Sequence, residues 1–589
     1  MKLKYLYGFF TVSVLLTLSS CEDWFDINTS PDNPVVVTVD QSMPLVLAFA
    51  SQLCFDHADY GVYLSQALTT GGRSQTGTYA YKSGWEFLGM NRHPQWRRHF
   101  YDIGVNATEL IKAAEKIDAK NAILVARTIM LHSTLLTTDA FGDMPRSQVY
   151  QSNTPPYDSQ GSIYEWMLKE ADDLIALYND NEWVNNPANI IITKTMDRMF
   201  EGDMGKWRAF TKSLKARMLL RKLPNWDNTP ATCDLIIKAV DDALNDPDFA
   251  EAIYKYDGGT ISEKNCPWGP AQPSLNLGWA QARQNLLAEA IPSRFFGSAL
   301  LGFYPSTAFL QSRGQALDPR AVKMMTPRVD DGGFTTMRFL DNNIGMDASM
   351  KITYFPNLFA PNGANPFTRD DGYIALMMRE ELLFIKAEAQ YWKRDVQGAY
   401  ETTVAAVNLN FERYDAMPTT TREEGWYKLF MDVRLPGAAV FTLADLMQQK
   451  YVVMYLQPEQ WTDVRRYNYS SETNGIAYDG EFIYTIKTCH DGSRGVNVSN
   501  FNVKISLTRP FNLYDAYWTT PGNFGTNARF SPNAWITRLN YDPETEDKYN
   551  IKQLEALGAY KNPEWLKKRM IWAYKNNSYV TSADNIEWK

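Results

Sequence analysis

The chain is 589 residues long, with 59 basic and 67 acidic residues, 45% hydrophobic and 13% aromatic content. That length exceeds what one hydrophobic core organises, so two or more packed units are expected, and the mildly acidic, well-mixed charge argues against a nucleic-acid partner. Beyond residue 20 no apolar run is long enough to cross a bilayer.

The chain begins as a secretory signal: Lys2 and Lys4, an uncharged apolar run from Leu6 to Leu18, then Ser19, Ser20 and Cys21. The run is shorter than the roughly 20 residues of a spanning helix, so residues 1–20 read as cleaved. A Leu, small, small, Cys box is the lipobox of bacterial lipoproteins, which assigns acylation to Cys21; acyl chains at ~0.8 kcal/mol per buried methylene make a firm anchor. The mature chain then carries 57 basic and 67 acidic residues. Residues 21–40 form a lipidated linker, acidic at Glu22, Asp23 and Asp26 and rich in turn formers through Pro34. The acidic stretch resembles the surface-export signal of Bacteroidetes lipoproteins and reads equally as a solvated spacer.

Helical patterns begin near Met43. From Trp96 to Ile117 the apolar residues Trp96, Phe100, Ile103, Ala107, Leu110, Ile111, Ala114 and Ile117 fall three and four apart, one stripe of a helix. A turn at 118–121 leads to a second stripe ending at Thr138, and the span from His99 to Thr138 approaches the ~34-residue tetratricopeptide period. Further stripes lie over Ile163–Ile175 and Trp207–Leu219. The pattern returns at Glu380–Trp392, with Leu383, Ala387 and Tyr391 on one face, continues over Ala399–Phe411 and resumes at Leu443. Pro458 should end that helix and start a short turn in which Trp461 and Arg465, four apart, share a face, with both Arg465 and Arg466 as buried braces. The expected fold is mainly α: a tetratricopeptide-like helix-pair scaffold over about 41–250 and 376–467. An irregular, loop-rich region with short strands, over about 255–375 and 468–545, completes a single body from 41 to 589.

Aromatics outside helical stripes, next to planar polar groups, suit sugar rings, which present apolar faces edged with hydroxyls. Two clusters meet that description. The first is Arg73, Tyr79, Tyr81 and Trp85; the second is Trp268, Trp279 and Arg283. Packing beneath a loop is the competing role for each aromatic. Catalysis has no local signature: no carboxylate pair stands out, there is no GxSxG, HExxH or CxxC, and no cofactor is implied. The stretch Asp341, Asn342, Asn343, Asp347 lacks the Gly and Glu of an EF-hand and reads as a turn. The scattered Cys54, Cys233, Cys266 and Cys489 favour no pairing.

Several stretches, in order, carry a family resemblance: the lipobox at Cys21, the segment Asn28–Pro34, Thr138–Pro145 closing a helix, Glu380–Gln390 (EELLFIKAEAQ), and Lys450–Tyr467 with WTDVRR near its end. Together they resemble the SusD/RagB outer-membrane lipoproteins of Bacteroidetes. The resemblance implies a binding protein rather than an enzyme. It would be lipid-anchored at the outer membrane facing outward, and would capture an oligosaccharide, or a peptide, for a SusC-like TonB-dependent transporter. A surface glycan hydrolase and a protein-binding adaptor are the readings from other classes.

Overall fold

In the computed structural model, the described residues are 37–70, 84–85, 92–152, 154–259, 264–270, 290–301, 318–329, 335–342, 354–358, 365–470, short pieces between 472 and 510, and 535–574. Cys21, Arg73, Tyr79, Tyr81, Trp279 and Arg283 lie outside them. No helix among them is long and apolar enough to cross a membrane.

The protein is mainly α. Helix α1 (Val39–Leu64) is followed by a short strand β1 (Leu68–Thr70), then by one winding of three parts: α2 (Pro94–Arg97), a π-helical segment (Arg98–Val105) and α3 (Asn106–Lys116). Next come α4 (Lys120–Phe141), α5 (Gln160–Tyr178), α6 (Met204–Leu220) and α7 (Pro230–Leu244). Their starts follow sequence rules: Ser159, Asp203 and Thr229 each cap a helix with a side-chain oxygen, and Pro230 sits at the first turn, where its missing N–H is no loss. Strands β2 (Ala252–Lys255) and β3 (Ala290–Pro292), helix α8 (Arg294–Leu301) and strand β4 (Tyr373–Met377) belong to the irregular middle. Helices α9 (Arg379–Trp392), α10 (Val396–Arg413), α11 (Thr421–Arg434), α12 (Leu443–Val453) and α13 (Glu459–Arg466) follow, then a hairpin of β5 (Thr485–Gly492) and β6 (Gly495–Lys504), and the short α14 (Glu546–Tyr549) and α15 (Ile551–Leu557).

Each helix from α3 packs on the next, α3 on α4, α4 on α5, α5 on α6 and α6 on α7, as stacked helix pairs do. The stack then ignores the middle of the chain: α7 packs directly on α9, and α9 on α10. The middle leaves and returns through an antiparallel β2–β4 ladder in which Lys255 faces Tyr373, closed by a 3.0 Å bond from the Tyr256 N–H to the Gly372 carbonyl. Helix α4 is buried nearly all round, so its hydroxyls cannot turn to water; Thr134 and Thr137 bond the carbonyls of Met130 and Ser133, both at 2.8 Å.

One local expectation changes. Helix α9 buries Glu380, Glu381 and Glu388 along with Leu382 and Ile385, while Leu383 and Tyr391 are only half-buried, because the acids have buried arginine and lysine partners that a hydrophobic pattern cannot register. Past the end of α4, Asp143 Oδ1 accepts from the Gln160 N–H at 2.8 Å, tying the end of α4 to the start of α5. Gly142 does end α4 as expected, at φ +89°. Cys54, Cys233 and Cys266 are buried thiols, not disulfides.

Candidate functional site

The two sequence clusters grow from one stem. β1 and β3 pair antiparallel, with Leu68 facing Pro292 and Thr70 facing Ala290. The chain therefore leaves toward Arg73, Tyr79 and Tyr81 from the residue opposite the one at which it arrives from Trp279 and Arg283. Chain connectivity alone brings the two segments' roots together.

Trp85 and Trp268 are not open platforms. Trp85 is fully buried, its ring 5.6 Å from that of Trp535. Trp535 stacks on Tyr469 at 4.5 Å, and the Tyr469 hydroxyl accepts from the Trp461 indole at 2.9 Å. Trp268 is 2% exposed and meets Phe55 of α1 edge-on at 4.8 Å. The indoles act as anchors. One segment is held at Thr70 and Trp85, the other at Trp268 and Ala290, and an indole has large apolar area to bury in such a role. Exposure cannot be read from composition, which is why sequence placed them among the contact residues.

Sequence reasoning passed over the polar seat beneath the stem. Ser293 donates from Oγ to the Gln66 carbonyl and from its N–H to the Ala67 carbonyl at 3.1 Å, and Asn342 donates to Gln66 Oε1 at 2.7 Å. Gln66 holds φ +62°, a left-handed turn that costs energy in a residue with a Cβ and is fixed here by its bonds. One residue upstream, Ser65 donates to Gln460 of α13 at 3.0 Å and its carbonyl accepts from Tyr451 of α12 at 3.0 Å. Asp341 pairs with Arg294 at 2.8 Å. The Asp341–Asn342 turn thus supports the stem, and no group of three or more His, Cys, Asp or Glu among the described residues is arranged to hold a metal.

The seat rests on a buried ionic brace built from the ordered motifs. Arg465 lies 3.5 Å above the Trp461 ring, as their spacing requires. Arg466 forks onto Glu388 with two bonds of 2.8 Å and reaches Asp463 at 2.7 Å, and Lys450 adds contacts to Glu388 and Asp463 at 3.2 and 3.0 Å. Arg221 links Asp139 and Glu459, each at 2.8 Å, while Arg217 holds Glu381 at 2.6 Å. Burial alone would raise the Glu459 carboxyl, but Arg221 and Arg217 outweigh it and hold it at about 2. A buried network of paired charges of this kind fixes position.

Residues 46–252 match the family model SusD-like_2, described as starch-binding associating with outer membrane. No curated protein matches the sequence. Among solved structures, a SusD/RagB family protein from Bacteroides thetaiotaomicron superposes with a TM-score of 0.60 at 17% identity, over 91% of this chain and 99% of that one. A SusD homologue from Bacteroides uniformis gives 0.58 at 17% identity over the same shares, and a chitin-binding protein gives 0.55 at 15% identity over 90% and 100%. Residues 46–252 thus match a SusD-like family model, the chain as a whole shares the fold of SusD/RagB structures, and three of the motifs that suggested the resemblance, Thr138–Pro145, Glu380–Gln390 and Lys450–Tyr467, supply residues of the brace.

Proposed function

We propose that this protein is a cell-surface, non-enzymatic nutrient-binding lipoprotein. Lipidated at Cys21, it captures oligosaccharide and delivers it to a SusC-like TonB-dependent transporter. The observation that carries the reading is the Thr70–Ala290 pairing, which roots both aromatic and arginine segments at one point on a braced scaffold. The matched family's description, and a chitin-binding protein among the structural relatives, support carbohydrate as the ligand class. Arg73, Tyr79, Tyr81, Trp279 and Arg283 are the contact residues in this proposal, with Trp85 and Trp268 as the buried posts that hold their segments.

The first test is a glycan and peptide array with the mature chain, followed by calorimetry on any hit. Binding without product release is expected; release of shortened sugar would make the protein a hydrolase, and capture of peptides alone would overturn the carbohydrate assignment. Replacing Tyr79 and Tyr81 together with alanine should weaken binding while leaving the unfolding transition in place. For the anchor, Cys21→Ala should abolish palmitate labelling; a mutant that still takes up label removes the lipoprotein reading.

A further inference from the structure

Among the described residues, the exposed large aromatics are Tyr101, Tyr150 and Tyr549, at 49%, 40% and 68% exposure, and all three line one cleft of about 680 Å³. They come from the π-helical segment, from the turn after α4 and from the end of α14, so the chain gathers them from three distant stretches. Trp96 and Phe100 line the same cleft as buried aromatics, and Gln151 and Asn550 add planar amides to its lining. None of these residues belongs to the two segments of the stem.

The cleft is built rather than incidental. Backbone in the π conformation is rare and concentrates at functional sites, and eight residues of it supply Phe100, Tyr101 and Val105. Gly104 provides a notch: a Cβ there would lie 1.5 Å from the Tyr150 hydroxyl oxygen. Through that notch the Tyr150 hydroxyl donates to the Phe100 carbonyl at 2.9 Å. Tyr150 is held at φ +65°, a left-handed conformation unfavourable for a bulky residue and tolerated where surroundings over-determine it.

The lining also states what kind of molecule fits. Glu546 is its only carboxylate, and no lysine, arginine or histidine lines it among the described residues. The carboxylate is already occupied, accepting from the Trp96 indole at 3.2 Å, the Tyr157 hydroxyl at 2.5 Å and the Asn550 amide at 2.6 Å. An anionic ligand would find no counter-ion. Having given its N–H to Glu546, Asn550 is 6% exposed and keeps an Oδ1 with no donor, an acceptor suited to a hydroxyl. Burial, then the nearby carboxylates of Glu546 and Asp542, push the Tyr101 phenol up, so it remains a protonated donor at neutral pH. Flat apolar faces, uncharged donors and acceptors, and a volume within the ~300–1,000 Å³ of small-molecule sites describe a receptor for a neutral sugar ring.

We infer that this tyrosine cleft is a second carbohydrate-binding site, specific for uncharged glycan, with Tyr101 and Tyr549 as stacking platforms and Asn550 as a hydroxyl acceptor. The assignment rests on the carbohydrate reading above and adds a place for it that does not use the stem. The test is the full mature chain labelled with fluorotyrosine, its Tyr101 and Tyr549 signals identified by substitution. Fluorine NMR and calorimetry then follow titration with maltoheptaose, chitohexaose and an oligogalacturonate as the acidic comparator. A neutral glycan should shift both signals, and Tyr549→Ala, exposed enough to leave folding alone, should weaken that response about tenfold, or ~1.4 kcal/mol, while the Tyr79/Tyr81 double variant retains it. If a neutral glycan binds calorimetrically but the two signals stay still, the cleft assignment fails and the carbohydrate reading stands. If none of the three sugars binds, both fail. An equal response to oligogalacturonate overturns the specificity for uncharged sugar.

Discussion

The ionic brace and the tyrosine cleft use different kinds of side chain to opposite ends. In the brace, Arg466, Lys450, Glu388 and Asp463 are buried and each meets a partner, so a change there leaves an uncompensated charge inside the protein. In the cleft, Tyr101 and Tyr549 face outward and the backbone beside them departs from regular geometry at Tyr150 and over Arg98–Val105. Saturated contacts specify a fold, whereas exposed rings on an irregular but rigid support are what a ligand meets.

Acid should separate the two most widely. His57 and His99 are buried, and burial, joined for His57 by Arg465 and His99, lowers each from 6.5 to about 3. Between those values the unfolded chain takes up protons that the folded chain refuses, so stability is full above about pH 6.5 and falls as pH drops toward 3. Glu459, held at about 2, adds a loss that begins below its ordinary 4.5. The melting temperature should therefore fall steadily from neutral pH to about pH 3, by several kcal/mol in stability; a flat profile would contradict neutral buried histidines. Glu388→Ala should cost ~3–5 kcal/mol in chemical denaturation because Arg466 and Lys450 lose a buried counter-charge; a loss below 1 kcal/mol would mean that the brace behaves like a surface ion pair. Gly142→Ala must force a Cβ into a φ of +89° and to 2.8 Å from Arg538 Nη1, and ~1–3 kcal/mol of destabilisation is expected. Tyr549→Ala should move stability by no more than ~0.5 kcal/mol, and a larger shift would show that Tyr549 serves the fold.

What the sequence made legible follows the same division. The Gly142 stop, the helix starting just after Pro458 and the Trp461–Arg465 stack depend on residues within a few positions of each other and appear as expected, whereas the helix from Leu443 ends at Val453, before the proline expected to end it. The stripe Trp96, Phe100, Ile103, Ala107 reads as plain α-helix because apolar spacing does not distinguish an eight-residue π segment. Trp85 and Trp268 resemble contact residues until their partners Trp535 and Phe55 are in view. Tyr101, Tyr150 and Tyr549 carried no signal, since only tertiary packing brings them to one cleft. The short strands expected over 468–545 include the β5–β6 hairpin, in which Val503 pairs with Ile486.

The narrow β2–β4 ladder has a further meaning for how such a chain can change. α7 packs on α9 across the ladder, yet the residues between Lys255 and Tyr373 are also pinned to the scaffold: Arg320 donates to Asn410 of α10 at 2.9 Å and to Gln449 of α12 at 3.0 Å, and Arg434 of α11 donates to the Ala299 carbonyl. Any exchange of the intervening residues must therefore keep these anchors as well as the two strands, which limits how freely the insertion can change.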